Sequence, residues 1–222
     1  LKLSRTRPAA GGSLLAGICV LLVLAACVAA PVRFYTLAGA APLPAPRQTA
    51  PAPGSASRVQ FELAPVGVPE RLARPQMVVR SDADSSSARV SVLEQQRWSS
   101  PFDRELRDSF GLALAASLGA NDVSRGGQLP GQPVYRIAIQ MQQFDAALDQ
   151  QVQASFGWTI TRSDNNDIAI CQAVATQPVG PGMEELVHGI HRLVVHTADR
   201  IASQIDALQG GRVPTCDRSA SS

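Results

Sequence analysis

Four cysteines supply the most reactive chemistry in this 222-residue chain, and their surroundings separate two uses of the thiol. Cys27 closes Leu24-Ala25-Ala26-Cys27, at the end of the uncharged run 14–26 and behind the basic residues Lys2, Arg5 and Arg7. A charged head, a short apolar stretch and small residues before a cut form a secretory signal. With cysteine directly after the cut, the pattern is that of lipoprotein processing. The sulfur takes a diacylglyceryl group, and Cys27 becomes the mature N-terminus. Cys19 follows the branched Ile18, which a narrow peptidase cleft excludes, so residues 1–26 read as the signal peptide and Cys27 as the lipidation site. Acyl chains hold a membrane by about 0.8 kcal/mol per buried methylene. The competing reading is an uncleaved anchor: nothing from Leu14 to Val32 is charged, close to the ~20 residues that span a bilayer, although Gly17 and Pro31 weaken it. Val28, and not an aspartate, follows the cysteine, so the expected location by default is the periplasmic face of the outer membrane.

Cys171 and Cys216 remain. In an oxidising compartment an even leftover pair reads as a disulfide. The alternative is a small core hydrophobe at Cys171 and a free thiol in the tail at Cys216.

Other candidate chemistry thins out quickly. His188, His191 and His196 share the last helix, and Glu184, His188 and His191 have the i, i+4, i+7 spacing of a zinc site, but Glu184 and His188 face its polar side and His191 borders it, as on a solvated helix face. Ser155-Phe156-Gly157 lacks the turn of a hydrolase nucleophile. Asp164, Asn165, Asn166 and Asp167 lack the glycine and distant glutamate of a calcium loop. Gln140, Gln142, Gln143, Gln150, Gln151 and Gln153 decorate strand exteriors, either as solvated faces or as an interface. No catalytic constellation, metal site or cofactor is expected. Loss of Lys2, Arg5 and Arg7 takes the 20 basic residues to 17 against 18 acidic ones, so the mature chain is near neutral and lacks the clustered cations of a nucleic-acid binder.

The elements around these residues define one domain. Residues 27–58 read as the lipidated N-terminus and an Ala/Pro-rich linker that lifts the domain off the membrane, with Arg33–Leu37 an isolated β-prone patch. Val59–Leu63, Met77–Arg80 and Arg89–Leu93 alternate as short strands, with a turn at Pro69–Leu72 and a hairpin loop over Ser81–Ser87. Ser100 and Pro101 start a helix with Asp103 in its first turn; Phe102, Leu106, Phe110, Leu114 and Leu118 form its stripe, and Gly119 and Asn121 end it. Three strands follow, built around Tyr135–Met141, Val152–Ile160 and Ile168–Ala175. Met183–Leu208 is a long amphipathic helix. The expected fold is mixed α/β: a mostly antiparallel sheet packed with two main amphipathic helices, over residues 59–210, followed by a flexible tail at 211–222.

Three segments together resemble the PqiC-like family of ABC-type transport auxiliary lipoproteins. They are Arg33-Phe34-Tyr35-Thr36-Leu37, the stretch from Val66 to Arg80 with its Arg74-Pro75-Gln76, and Arg97-Trp98-Ser99-Ser100-Pro101. The resemblance implies a noncatalytic, lipid-anchored subunit whose partner is a mammalian-cell-entry-type periplasmic transport protein, in an assembly that moves lipid, with a homo-oligomer as a further expectation. Arg71, Arg74, Arg80 and Trp98 are the candidate partner contacts. Against this stand solvated arginines around a proline corner and a tryptophan plugging the core edge. A standalone envelope module that holds peptidoglycan or assists outer-membrane assembly is the alternative function.

Overall fold

The longest strand of the sheet is also its spine. In the structure, a computed structural model that describes residues 30–39, 59–80 and 89–216, the order is β1 (Arg33–Tyr35), β2 (Gln60–Leu63), a 3-10 turn (Glu70–Leu72), β3 (Gln76–Arg80), β4 (Val90–Trp98), α1 (Phe102–Leu118), β5 (Asn121–Asp122), β6 (Val134–Ala147), β7 (Gln151–Arg162), β8 (Ile168–Pro178) and α2 (Met183–Gln209). The signal residues 1–26, Cys27, most of the Ala/Pro stretch, the Ser81–Ser87 loop and the last six residues lie outside the described residues.

One edge of β6 carries β7 and then β8, both antiparallel over their full lengths. Its other edge is shared. Near the start of β6, β2 pairs in parallel; near its end, β3 pairs in parallel and leads through antiparallel β4 to β1. The result is a mixed eight-stranded sheet in one α/β domain, with long antiparallel ladders and short parallel ones. Between β2 and β3 the chain crosses this edge at Gly67, whose N–H donates to the Ile139 carbonyl at 3.0 Å while Met141 N–H donates back at 2.8 Å.

Period-two burial explains the layering. Tyr135, Ile137, Ile139 and Met141 of β6 are buried beside Val152, Ala154, Phe156, Trp158 and Ile160 of β7 and Ala169, Cys171, Ala173 and Ala175 of β8. These cover the apolar stripes of both helices. Phe110 of α1 meets Phe156 edge to face, with centroids 5.4 Å apart. Small residues on β8 leave room for α2, and Gly189 permits its closest approach: a Cβ there would sit 2.3 Å from Val179 Cγ1.

Three local readings change. First, Arg33–Leu37 is not an isolated patch beside the lipid. β1 adds to β4 in parallel, and Leu37 is fully buried, so the folded body begins at Arg33. Residues 40–58 therefore connect two points of one unit and do not stand between Cys27 and the domain. Second, β4 continues past Leu93 to Trp98 through a register irregularity opposite Gln76 and Met77, because β1 supplies partners that the polar Glu94-Gln95-Gln96-Arg97 pattern cannot reveal. Third, Pro101 is the N-cap of α1 and helical residues start at Phe102; Gly119 in the left-handed region (φ 60°) ends the helix, and Asn121 goes on into β5.

Candidate interaction surface

Two places carry polar chemistry beyond packing needs. One is a buried carboxylate. Glu105, in the first turn of α1, is 4 % exposed, and among the described residues no cation pairs with it. Instead it collects donors from both ends of the β1–α1 junction. Thr36 Oγ1 and Leu37 N–H donate to Oε2, each at 2.9 Å; Ser99 Oγ, Ser100 N–H and Ser100 Oγ donate to Oε1 at 2.7, 3.0 and 2.8 Å. The Ser100 hydroxyl thus serves this carboxylate and caps no helix amide. Burial pushes the Glu105 pKa up, but the bonds from Ser99, Leu37, Ser100 and Thr36 outweigh it and hold the group below its ordinary value.

From the opposite side, His191 of α2 reaches the same strap. Its Nδ1 lies 3.4 Å from Ser109 Oγ, and burial, with His188 nearby, holds its pKa below the ordinary 6.5 despite a bond to the Leu37 backbone. Both shifts act in one direction with pH. The unfolded chain protonates His191 before the folded one does, so stability falls as pH drops below about 6.5. Glu105, also lowered, loses its contribution as pH falls below about 4.5 towards its folded value. Urea midpoints measured from pH 7.5 to 3 are expected to decline through the first window and into the second. In His191→Asn the decline near pH 6 is expected to vanish.

The second place is the sheet face that neither described helix covers. Ile168, Ile170 and Val174 of β8 and Val90 and Val92 of β4 are exposed, Ile170 at 72 %. Between them run two open grooves. One, of about 680 Å³, is bounded by Pro65 and Gly67 on one side and Ile170 and Cys216 on the other, with Gln140, Gln142, Gln172 and Thr159 along its floor. Gln142 is the extra residue of a bulge in β6, which turns its amide across β7. It accepts from Gln172 Nε2 at 2.5 Å and from Ser155 Oγ at 3.3 Å. Gly157 leaves the space for that amide, because a Cβ there would lie 2.9 Å from Gln142 Nε2.

The other groove, about 340 Å³, is lined by Arg71, Arg80, Val90, Asp145 and Val174 among others. Arg80 is bound at two points by Asp145, with Nε donating to Oδ1 at 3.0 Å, so its charge is already answered. The structure therefore brings Arg71 and Arg80 to one groove. Arg74 is exposed but lines neither groove, and Trp98 is a core residue, 5 % exposed and stacked on Phe102 at 5.0 Å. As a partner contact Trp98 is corrected: it is taken up by packing.

Cys171 and Cys216 form a disulfide with Cα atoms 5.6 Å apart, which pins residues 211–216 across β8. Gln204 of α2 completes the join, accepting from Trp158 Nε1 at 2.7 Å and donating to Cys171 Sγ at 2.9 Å. Among the described residues, no three His, Cys, Asp or Glu side chains are grouped to hold a metal ion. Asn165, Asn166 and Asp167 bond within their own hairpin turn. No described helix is long and apolar enough to cross a membrane.

Glu105 was missed in the sequence reading. Its signal was Ser99-Ser100 followed one turn later by an acid, a distorted capping box. Asp103, nearer the helix start, fits the first-turn pattern equally well by sequence.

A family model described as "ABC-type transport auxiliary lipoprotein component" matches residues 35–202, from the Tyr35 end of β1 into α2. Comparison with curated proteins gives no match. Among solved structures, one described as that of an uncharacterized protein is similar at 18 % identity and TM-score 0.59, over 79 % of this chain and 99 % of that one. Protein XCC0632 from Xanthomonas campestris is similar at 15 % identity and TM-score 0.52, over 68 % and 90 %. At these identities the likeness is one of fold.

Proposed function

We propose that this chain, which belongs to the family of ABC-type transport auxiliary lipoprotein components, is the noncatalytic docking subunit of a lipid-moving system. In this reading it is acylated at Cys27 and held on the periplasmic face of the outer membrane. It docks on a mammalian-cell-entry-type protein through the open face of its sheet. The supporting observation is that face: one side of the sheet is packed under two helices, and the other shows Ile168, Ile170 and Val174 beside amide-lined grooves. A sheet face with exposed branched apolar side chains is a contact surface in waiting. The larger groove offers side-chain amides and the Thr159 hydroxyl, and the smaller one the Arg80–Asp145 pair, all able to hydrogen-bond a protein surface.

Ile170 points away from the core, so Ile170→Asp is expected to fold normally. It is also expected to lose about tenfold or more of partner recovery in a pull-down from envelope extracts, because a carboxylate would be desolvated at the contact. Recovery of no mammalian-cell-entry-type protein by the native chain would overturn the docking role. Equal recovery by Ile170→Asp would move the contact off this face.

A further inference from the structure

We propose that the β1 edge of the sheet, centred on Phe34, seats directly on the lipid surface that carries the anchor. On this account Phe34 enters the interfacial region, and Arg33 and Arg97 face the lipid phosphates. The inference rests on Cys27 as the anchored residue.

Chain length is the first argument. Six residue steps separate Cys27 from Arg33, and an extended chain spans at most about 3.6 Å per residue, so the first strand of the fold lies within about 20 Å of the anchored sulfur. The strap cannot lengthen this tether cheaply, because Leu37 is buried and bonded to Glu105 just beyond it. An edge held that close to a bilayer meets it continually.

The second argument is what this edge presents. Phe34 is 65 % exposed on a strand that, among the described residues, pairs with β4 alone, and an aromatic ring gains by entering the headgroup region. Arg97 is its partner across the ladder, and the exposed Arg33, one residue earlier, projects from the other face of the same edge strand. Glu94 engages Arg97 at 3.6 Å and offsets one of these charges, which leaves a net positive edge for phosphate. The exposed residues of β8 are at the opposite end of the sheet. Five strand spacings separate them from β1, about 24 Å. Contact with lipid at β1 therefore leaves β8 free for a partner.

The disulfide makes the test clean. With Cys171 and Cys216 bonded and Cys19 in the removed signal, Cys27 is the free thiol of the processed chain. The processed chain, Cys27–Ser222, would be coupled through that thiol to maleimide lipid in phosphatidylethanolamine/phosphatidylglycerol vesicles with brominated acyl chains. Phe34→Trp is expected to gain a blue-shifted emission that bromine quenches at least threefold more than that of Ile168→Trp, after subtraction of the native signal from Trp98 and Trp158. Arg33→Glu in the Phe34→Trp background is expected to reduce the quenching. No quenching at position 34, or equal quenching at both positions, overturns the proposal. Since the tether is chemical, these outcomes do not depend on acylation in the cell. That is read separately, from the intact mass of the envelope-extracted protein, where an unmodified Cys27 would defeat the anchoring and leave the vesicle result readable.

Discussion

Glu105→Ala is expected to lower the unfolding free energy by about 3–5 kcal/mol and to release the strap Arg33–Leu37 from the body. The carboxylate is the common acceptor for two backbone amides and three hydroxyls. A hydrogen bond to a charged group contributes about 1.5–3 kcal/mol, and a buried donor left without a partner costs about 1–3 kcal/mol more. The hydroxyls can turn to water, but the Leu37 amide cannot, because its residue is fully buried. Glu105→Gln keeps the shape and one acceptor oxygen but places an NH2 among donors, and is expected to cost roughly half as much. Urea unfolding gives the magnitudes. Hydrogen exchange at the Leu37 amide gives the location, with protection lost in Glu105→Ala below the global unfolding threshold. A change under about 1 kcal/mol would show that Leu37 packing and the β1–β4 ladder hold the strap without the carboxylate. For a lipid-anchored protein this junction matters mechanically, since force on the anchor passes through it before reaching the core.

Reduction of Cys171–Cys216, or the paired change to alanine, is expected to cost about 2–4 kcal/mol. The bond closes a sequence separation of 45 residues around α2, so its removal enlarges the denatured ensemble. The denaturant slope is expected to rise with the extra surface exposed on unfolding. Cys216 is exposed, which leaves the bond open to small thiols. The Trp158–Gln204 bond should survive in the folded state, because it does not depend on the tail. The loss would therefore appear as a lower urea midpoint with unchanged near-ultraviolet tryptophan signals. Coincident midpoints for the oxidised and reduced proteins would refute it.

Much of the domain was legible because its signals are local. The stripe Phe102, Leu106, Phe110, Leu114, Leu118 and the long pattern from Met183 to Leu208 repeat at the helical period, and all but Leu118 and Met183 are buried in the structure. On β6 and β7 the alternation is strict enough to assign each face. β8 alternates between an alanine side and an Ile168, Ile170, Val174 side; which side meets water depends on where the helices lie. Residues with no periodicity, such as Glu94–Arg97, were readable only once a strand from more than sixty residues earlier stood beside them.

The sequence alone determined the α/β class, both helices, the main strands and the lack of clustered cations in the composition, since each depends on side-chain period or composition over a short window. Tertiary structure decided that Arg33–Leu37 belongs to the body, that Trp98 packs inside, that Arg80 is spent on Asp145, and that Glu105 gathers two distant segments. These are long-range pairings. The chain encodes them only as the sum of many weak compatibilities, so their partners become visible only when the fold brings them into contact.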